Sequence, residues 1–319
     1  MTRDDIKSDM KSILDTCSGI KVFFIDDDNN ELYDSDIESE GLDEFMVSFV
    51  SDLKNKFTDN EKFSIPNLSN ADERKHALYY FDFDDQIHEF KYLDKVNEMQ
   101  ANKIIGKYQV RSKGLSSIKA VVIRLKGSDG KVISFYQYIH RTSLWTSGKG
   151  VFFTTHKTRV VKMTDDVLRL NNSFIFAKIG QNYLINNVRA FEKELGFDKI
   201  IHAKAAQYCT SIESRGLVEN LEKFNKQINK EINFARKFVK VFKNSAVIEQ
   251  NLSNEEIISF AMSKPFYEGK LKLTEDGSQF DLNSISRCSN FLQLLDDEFL
   301  KSELTGMNYI ARAKDRASS

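Results

Sequence analysis

Proline is nearly missing, with Pro66 and Pro265 the only two in 319 residues. A Pro-rich linker is excluded, so the parts of the chain are expected to pack directly. Cysteine is scarce too: Cys17, Cys209 and Cys288 are odd in number and far apart. Such a set implies neither a disulfide framework nor a zinc site, and it fits a reducing compartment. No apolar run approaches the roughly 18–20 residues that cross a bilayer. The first residues, MTRDDIKSDMKS, lack the apolar core of a secretion signal. The expected location is cytoplasmic, with any recruitment to the inner membrane made through a partner.

Signatures of catalysis are also wanting. No Gly-x-x-x-x-Gly-Lys-Ser/Thr loop occurs, and Gly127-Ser128-Asp129-Gly130-Lys131 reads as a hairpin turn. Asp26, Asp28 and Asn30 imitate the opening of a calcium loop, but the sixth position is Glu31 instead of Gly and the twelfth is Ile37 instead of Glu. The five histidines show no HExxH or His-x-x-x-His spacing. Glu192-Lys193-Glu194 is the one run that a metal-dependent nuclease could borrow. The sequence therefore assigns no catalytic residue, no metal and no cofactor.

What is present is core-forming material and a polarised charge. Apolar residues make up 41% of the chain and 25 residues are Phe, enough for more than one core. The net charge of −1 conceals blocks. Residues 1–100 carry 25 acidic and 11 basic side chains; residues 101–164 carry 13 basic side chains and one acid, Asp129. The remainder is balanced. A block this basic must meet phosphate, acidic protein or the chain's own first third.

The pattern predicts an α+β protein: an acidic α/β N-terminal domain over 1–105, then a basic antiparallel β meander with a helical C-terminal part over 106–319. IKVFFI (20–25) and 77–83 read as strands, and 42–57 and 86–100 as helices. The runs 118–126 and 131–139 form a hairpin through Asp129-Gly130, because Asp-Gly supplies the positive φ of a tight turn. Further strands are expected at 150–154, 158–163, 173–179 and 182–186. Leu217, Leu221, Phe224, Ile228, Ile232, Ala235, Val239 and Phe242 recur at helical spacing, which predicts one long helix over 217–243. Ser253 or Asn254 caps a helix, and another covers 284–296.

Two basic surfaces emerge. On the wheel of the long helix Lys223, Lys226, Lys230, Lys237 and Lys240 lie opposite the apolar stripe, where they can run beside phosphates. In the central block Arg111, Lys113, Arg124 and Lys126 surround the hairpin. His140-Arg141-Thr142-Ser143-Leu144-Trp145-Thr146-Ser147-Gly148-Lys149-Gly150 adds Arg141, Lys149 and the only Trp, a mixture suited to phosphate contact and stacking. Each has a bland counterpart: a solvated helix face, or a hairpin docked on the acidic third with Trp145 in the core.

Phe174–Ile179 and Asn182-Tyr183-Leu184-Ile185-Asn186-Asn187 followed by Phe191-Glu192 resemble a strand–strand–helix signature of the DUF4868 family. Lys264-Pro265-Phe266 and the run from Phe299 to Tyr309, with Ser302-Glu303-Leu304-Thr305-Gly306, fit it too. The resemblance covers roughly residues 120–310. It implies a cytoplasmic effector of the Kiwa anti-phage defence system that binds DNA without a clear nuclease centre and partners a small membrane protein (KwaA-like). The leading expectation is non-specific binding of double-stranded DNA by a non-enzymatic homodimer, since two basic surfaces would lengthen the footprint. The alternatives are an adaptor whose basic centre binds acidic protein, its own first third included, and a metal-dependent nuclease.

Overall fold

The computed structural model describes residues 2–70, 74–99, 105–140, 143–145, 153–156, 158–163, 165–301 and 308–310. The fold is α+β, and the chain divides into two compact units, Met1–Leu195 and Gly196–Ser319.

The first unit runs α1 (Arg3–Asp15), β1 (Cys17–Asp26), β2 (Leu32–Asp34), α2 (Ser39–Leu53), β3 (Tyr79–Tyr80), α3 (Phe90–Asn97), α4 (Val110–Lys113), β4 (Ile118–Gly127) and β5 (Val132–Tyr138). It continues with β6 (Leu144–Trp145), β7 (Phe153–His156), β8 (Arg159–Lys162), β9 (Val167–Leu168), β10 (Phe176–Ile179), β11 (Asn182–Ile185) and α5 (Val188–Lys193). Seven strands form one antiparallel sheet in the order β2-β1-β4-β5-β10-β11-β3. The β4–β5 hairpin turns where Asp-Gly predicts it, with Gly130 at φ +82°. Gly127 at its foot leaves no room for a side chain: a Cβ there would meet the Asp129 carboxylate at 2.9 Å and the Ile13 Cα at 3.3 Å.

Acidic and basic blocks share this sheet. β1, from the acidic first hundred residues, pairs with β4 of the basic block from Cys17↔Gly127 to Asp26↔Ile118. The sheet is buried on both faces, as alternation along β1 and β4 allows. On one face Ile6, Met10, Ile13 and Leu14 of α1 and Phe49 and Leu53 of α2 pack on Val22, Phe24, Val121, Ile123 and Phe135. On the other, Phe90 of α3 stacks on Tyr183 at 3.7 Å and meets Phe176 edge-on at 5.1 Å.

The polar opening of the chain is itself a helix, which composition alone conceals. Thr2 caps α1, its hydroxyl accepting from the Asp5 N–H while the Asp5 carboxylate accepts from the Thr2 N–H. The strand expected over 77–83 shortens to β3, and the helix expected over 86–100 becomes α3.

The second unit holds α6 (Phe197–Arg215), α7 (Glu222–Lys230), α8 (Ile232–Asn244), α9 (Ala246–Glu249), α10 (Asn254–Ser263), α11 (Ile285–Leu295), β12 (Phe299–Lys301) and β13 (Asn308–Ile310). Ser253 caps α10 through a capping box with Glu256, and Ser284 caps α11. The single helix predicted over 217–243 starts only at Glu222, Val218 bridging Phe280 instead, and it is broken at Glu231, whose backbone is extended (φ −127°, ψ 105°). The reason is aromatic packing. Phe224 meets Phe238 edge-on at 5.0 Å and Phe234 at 5.2 Å. On one straight helix residues 224 and 238 would stand about 21 Å apart along the axis. Folding back at Glu231 buries these rings together, which outweighs the intrahelical bonds lost at the break.

Burial also silences two thiols. It pushes Cys209 up to about 12 and Cys288 up to about 11. At pH 8 only about one Cys209 in 10⁴ is then a thiolate. A thiol-reactive chromophore should modify Cys17 alone in the native protein and all three cysteines after unfolding. Fast native labelling of Cys209 or Cys288 would contradict the packing.

Candidate nucleic-acid interface

Part of the central basic charge is consumed inside the first unit. Lys107 bonds Asp36 and Lys131 bonds Asp9, each at 2.6 Å. Lys113, at the end of α4, turns onto Asp26, which is fully buried at the end of β1. The Lys113 ammonium also lies over the rings of Tyr33 (4.4 Å) and Tyr108 (5.8 Å). It is a half-buried cation whose charge is committed to a fully buried carboxylate. The Asp26 that imitates a calcium ligand is thereby occupied by an ammonium. Lys119 donates to the side-chain oxygen of Asn30 at 3.0 Å. One face of the sequence puzzle is thus resolved within the chain: part of the acidic third neutralises part of the basic block.

Other cations keep their charge. Arg111 on α4 and Lys126 at the end of β4 are exposed and make no ion pair among the described residues. Arg124, on β4 between them in sequence, is half-buried, and its Nε is buried without a hydrogen-bond partner. Burial holds the Arg124 guanidinium below its ordinary value, and no carboxylate among the described residues pairs with it. Arg141 and Lys149 lie outside the described residues. Trp145 ends β6, which pairs with β9. The hairpin of β7 and β8 presents Arg159 and Lys162, both exposed, beside exposed Phe153 and Val160. The sequence reading left those two cations unassigned; the signal was a basic residue at each end of the short run Arg159-Val160-Val161-Lys162, whose Val160 stays exposed.

In the second unit the break at Glu231 divides the predicted lysine stripe. Lys223, Lys226 and Lys230 stand exposed on α7, while Lys237 and Lys240 are half-buried on α8. Lys226 pairs with Glu222 one turn earlier at 2.5 Å, an exposed and weak contact. Lys237 bonds Glu298, which is almost fully buried, at 2.9 Å. Lys237 therefore neutralises an interior acid. Lys223 and Lys230 make no ion pair among the described residues, and Lys223 and Lys226 line a polar cleft with the acids Glu219, Glu222 and Asp281 and with Asn220 and Asn283. The five lysines are thus three on one helix and two on another.

Among the described residues no group of three or more His, Cys, Asp and Glu side chains is placed to hold a metal ion. No helix among them is long and apolar enough to cross a membrane. The family model described as Kiwa protein KwaB-like matches residues 115–305, from just before β4 into the second unit, past β12. The chain belongs to the KwaB-like family. The Kiwa protein KwaB of Escherichia coli O55:H7 (strain RM12579 / EPEC) is 27% identical over 318 residues, covering 99% of each chain. The similarity to that KwaB thus includes the acidic first third as well as the family-matched region. No solved structure matches the chain.

Proposed function

We propose that this KwaB-like protein serves anti-phage defence by binding double-stranded DNA through phosphate contacts, as a cytoplasmic homodimer acting with a small membrane-protein partner. The observation that carries the reading is the set of exposed cations left over after internal pairing: Arg111, Lys126, Arg159 and Lys162 in one unit, Lys223 and Lys230 in the other. Long-range attraction to a polyanion needs only such a set, and phosphate contacts position a duplex without reading its bases. A membrane partner would concentrate the protein where foreign DNA enters, and a second copy would double the footprint.

The adaptor reading has one observation in its favour. Lys107, Lys113 and Lys131 meet Asp36, Asp26 and Asp9 within the chain. That pairing accounts for part of the basic block and leaves the six cations above unexplained. DNA binding is therefore the better account.

Fluorescence anisotropy of a labelled duplex, titrated from low to physiological salt, tests it. Four phosphate contacts would give a log–log slope of about −3.6. No binding at low salt would overturn the DNA reading and favour the adaptor.

A further inference from the structure

One row of side chains crosses five strands on the α3 side of the sheet. Lys21 on β1 lies opposite Arg124 on β4, Arg124 opposite Ser134 on β5, Ser134 opposite Lys178 on β10, and Lys178 opposite Tyr183 on β11. Directly opposed residues project to the same face with Cβ atoms about 5 Å apart. Such a row of cations and hydroxyls inside a sheet is costly unless each polar group finds a partner.

The two ends differ. At the β10–β11 end the chain supplies the anion: Lys178 donates to Asp94 Oδ1 at 2.6 Å, and the Tyr183 hydroxyl donates to the same oxygen. At the β1–β4 end no anion is supplied among the described residues. The Arg124 Nε is buried with no acceptor, and so is the Asn97 Nδ2 at the C-terminal end of α3. Both adjoin Ser134, which opposes Arg124 and donates its hydroxyl to the Asn97 Oδ1. Lys21, exposed, adds a second positive charge beside Arg124 and has no ion pair among the described residues. Three side chains, Arg124, Asn97 and Lys21, thus bring two positive charges and two unpaired donor atoms to this end of the row.

We propose that this end of the row binds a phosphate monoester dianion. Arg124 contacts its oxygens through the guanidinium fork, Asn97 Nδ2 adds a neutral donor, and Lys21 balances the second charge at the solvent edge. Two cations match a terminal phosphate, which carries about −1.5 to −2 at neutral pH, better than a carboxylate or a backbone phosphodiester with one charge. The same group occurs free, on a mononucleotide, or at the end of a nucleic acid strand. This site is independent of the sequence-wide contacts proposed above.

The test uses the full chain. Calorimetric titration with inorganic phosphate, at constant ionic strength set by chloride, should show one site per chain. Arg124→Gln should weaken it by about tenfold or more, the loss of one charge-assisted contact. Because Arg124 is half-buried, the exposed Lys21→Ala, which spares the interior, should weaken it severalfold as well. A short 5′-phosphorylated single strand binding more tightly than its unphosphorylated twin, with the excess lost in both variants, would assign the group to nucleic acid ends. Equal affinity for phosphate and phosphorylated strand would assign it to small phosphates. No phosphate binding, or binding unchanged in both variants, would overturn the proposal. Duplex binding with dephosphorylated ends would persist in that case, so its failure leaves the DNA reading standing.

Discussion

Asp94→Asn should destabilise the first unit by about 3–5 kcal/mol, the usual cost of stripping a buried charge of its partner. Lys178 sits in the middle of the sheet and is 4% exposed, and the carboxylate of Asp94 is the ion that meets it. Tyr183 depends on the same oxygen. Burial first, and Asp94 second, push the Tyr183 phenol far above its ordinary value, so it stays a hydrogen-bond donor. The amide keeps the shape and removes the charge, leaving a buried ammonium with the Tyr183 ring beside it, 5.2 Å from its centroid. Urea unfolding followed through the first unit reads the loss. The double variant Asp94→Leu with Lys178→Met should recover most of it, because an apolar pair of similar volume needs no compensation. A single variant within about 0.5 kcal/mol of the parent would mean that water already reaches Lys178 and that the pair is ornamental.

How far the sequence discloses this molecule depends on the range of the interactions involved. Alternation and the Asp-Gly turn are local, so β4, β5, β10 and β11 stand where the sequence puts them, and the cap at Ser253 is local too. The break at Glu231 is not. It follows from Phe224 meeting Phe238, a contact between residues that a wheel places on one straight stripe. α1 was hidden for a related reason: its residues look polar in sum, and only the spacing of Ile6, Met10 and Ile13 marks a buried side. Charge shows the same division. The blocks are plain from counting, but which cations remain free depends on β1 lying beside β4, a pairing of segments about a hundred residues apart. That pairing brings Asp26 within reach of Lys113, and it sets Lys21 beside Arg124. Lys113 and Lys237, equal to their neighbours in composition, are committed to interior acids. Lys21, in the acidic block, joins the basic row.

The same distinction predicts how charge reversal sorts the lysines. Lys223 and Lys230 are seven residues apart on α7, two turns and about 10.5 Å, so they project from nearly the same side. That distance is close to three base steps of a strand, about 10.2 Å. Each can therefore meet a phosphate on one backbone. Lys223→Glu with Lys230→Glu should lower duplex affinity by about a hundredfold at 50 mM salt, since each phosphate contact is worth roughly tenfold there. The log–log salt slope should shrink by about 1.8. Lys237→Gln should act differently. It leaves Glu298 buried without its cation, so it should lower the stability of the second unit and leave the salt slope of the folded protein unchanged. Lys226 stands between: its exposed partner Glu222 yields readily to phosphate, so Glu222→Gln should tighten binding slightly. Anisotropy titrations at four salt concentrations, with circular dichroism to confirm folding, separate these outcomes. An unchanged slope in the Lys223 and Lys230 variant would remove α7 from the interface and leave the cations of the first unit to carry it.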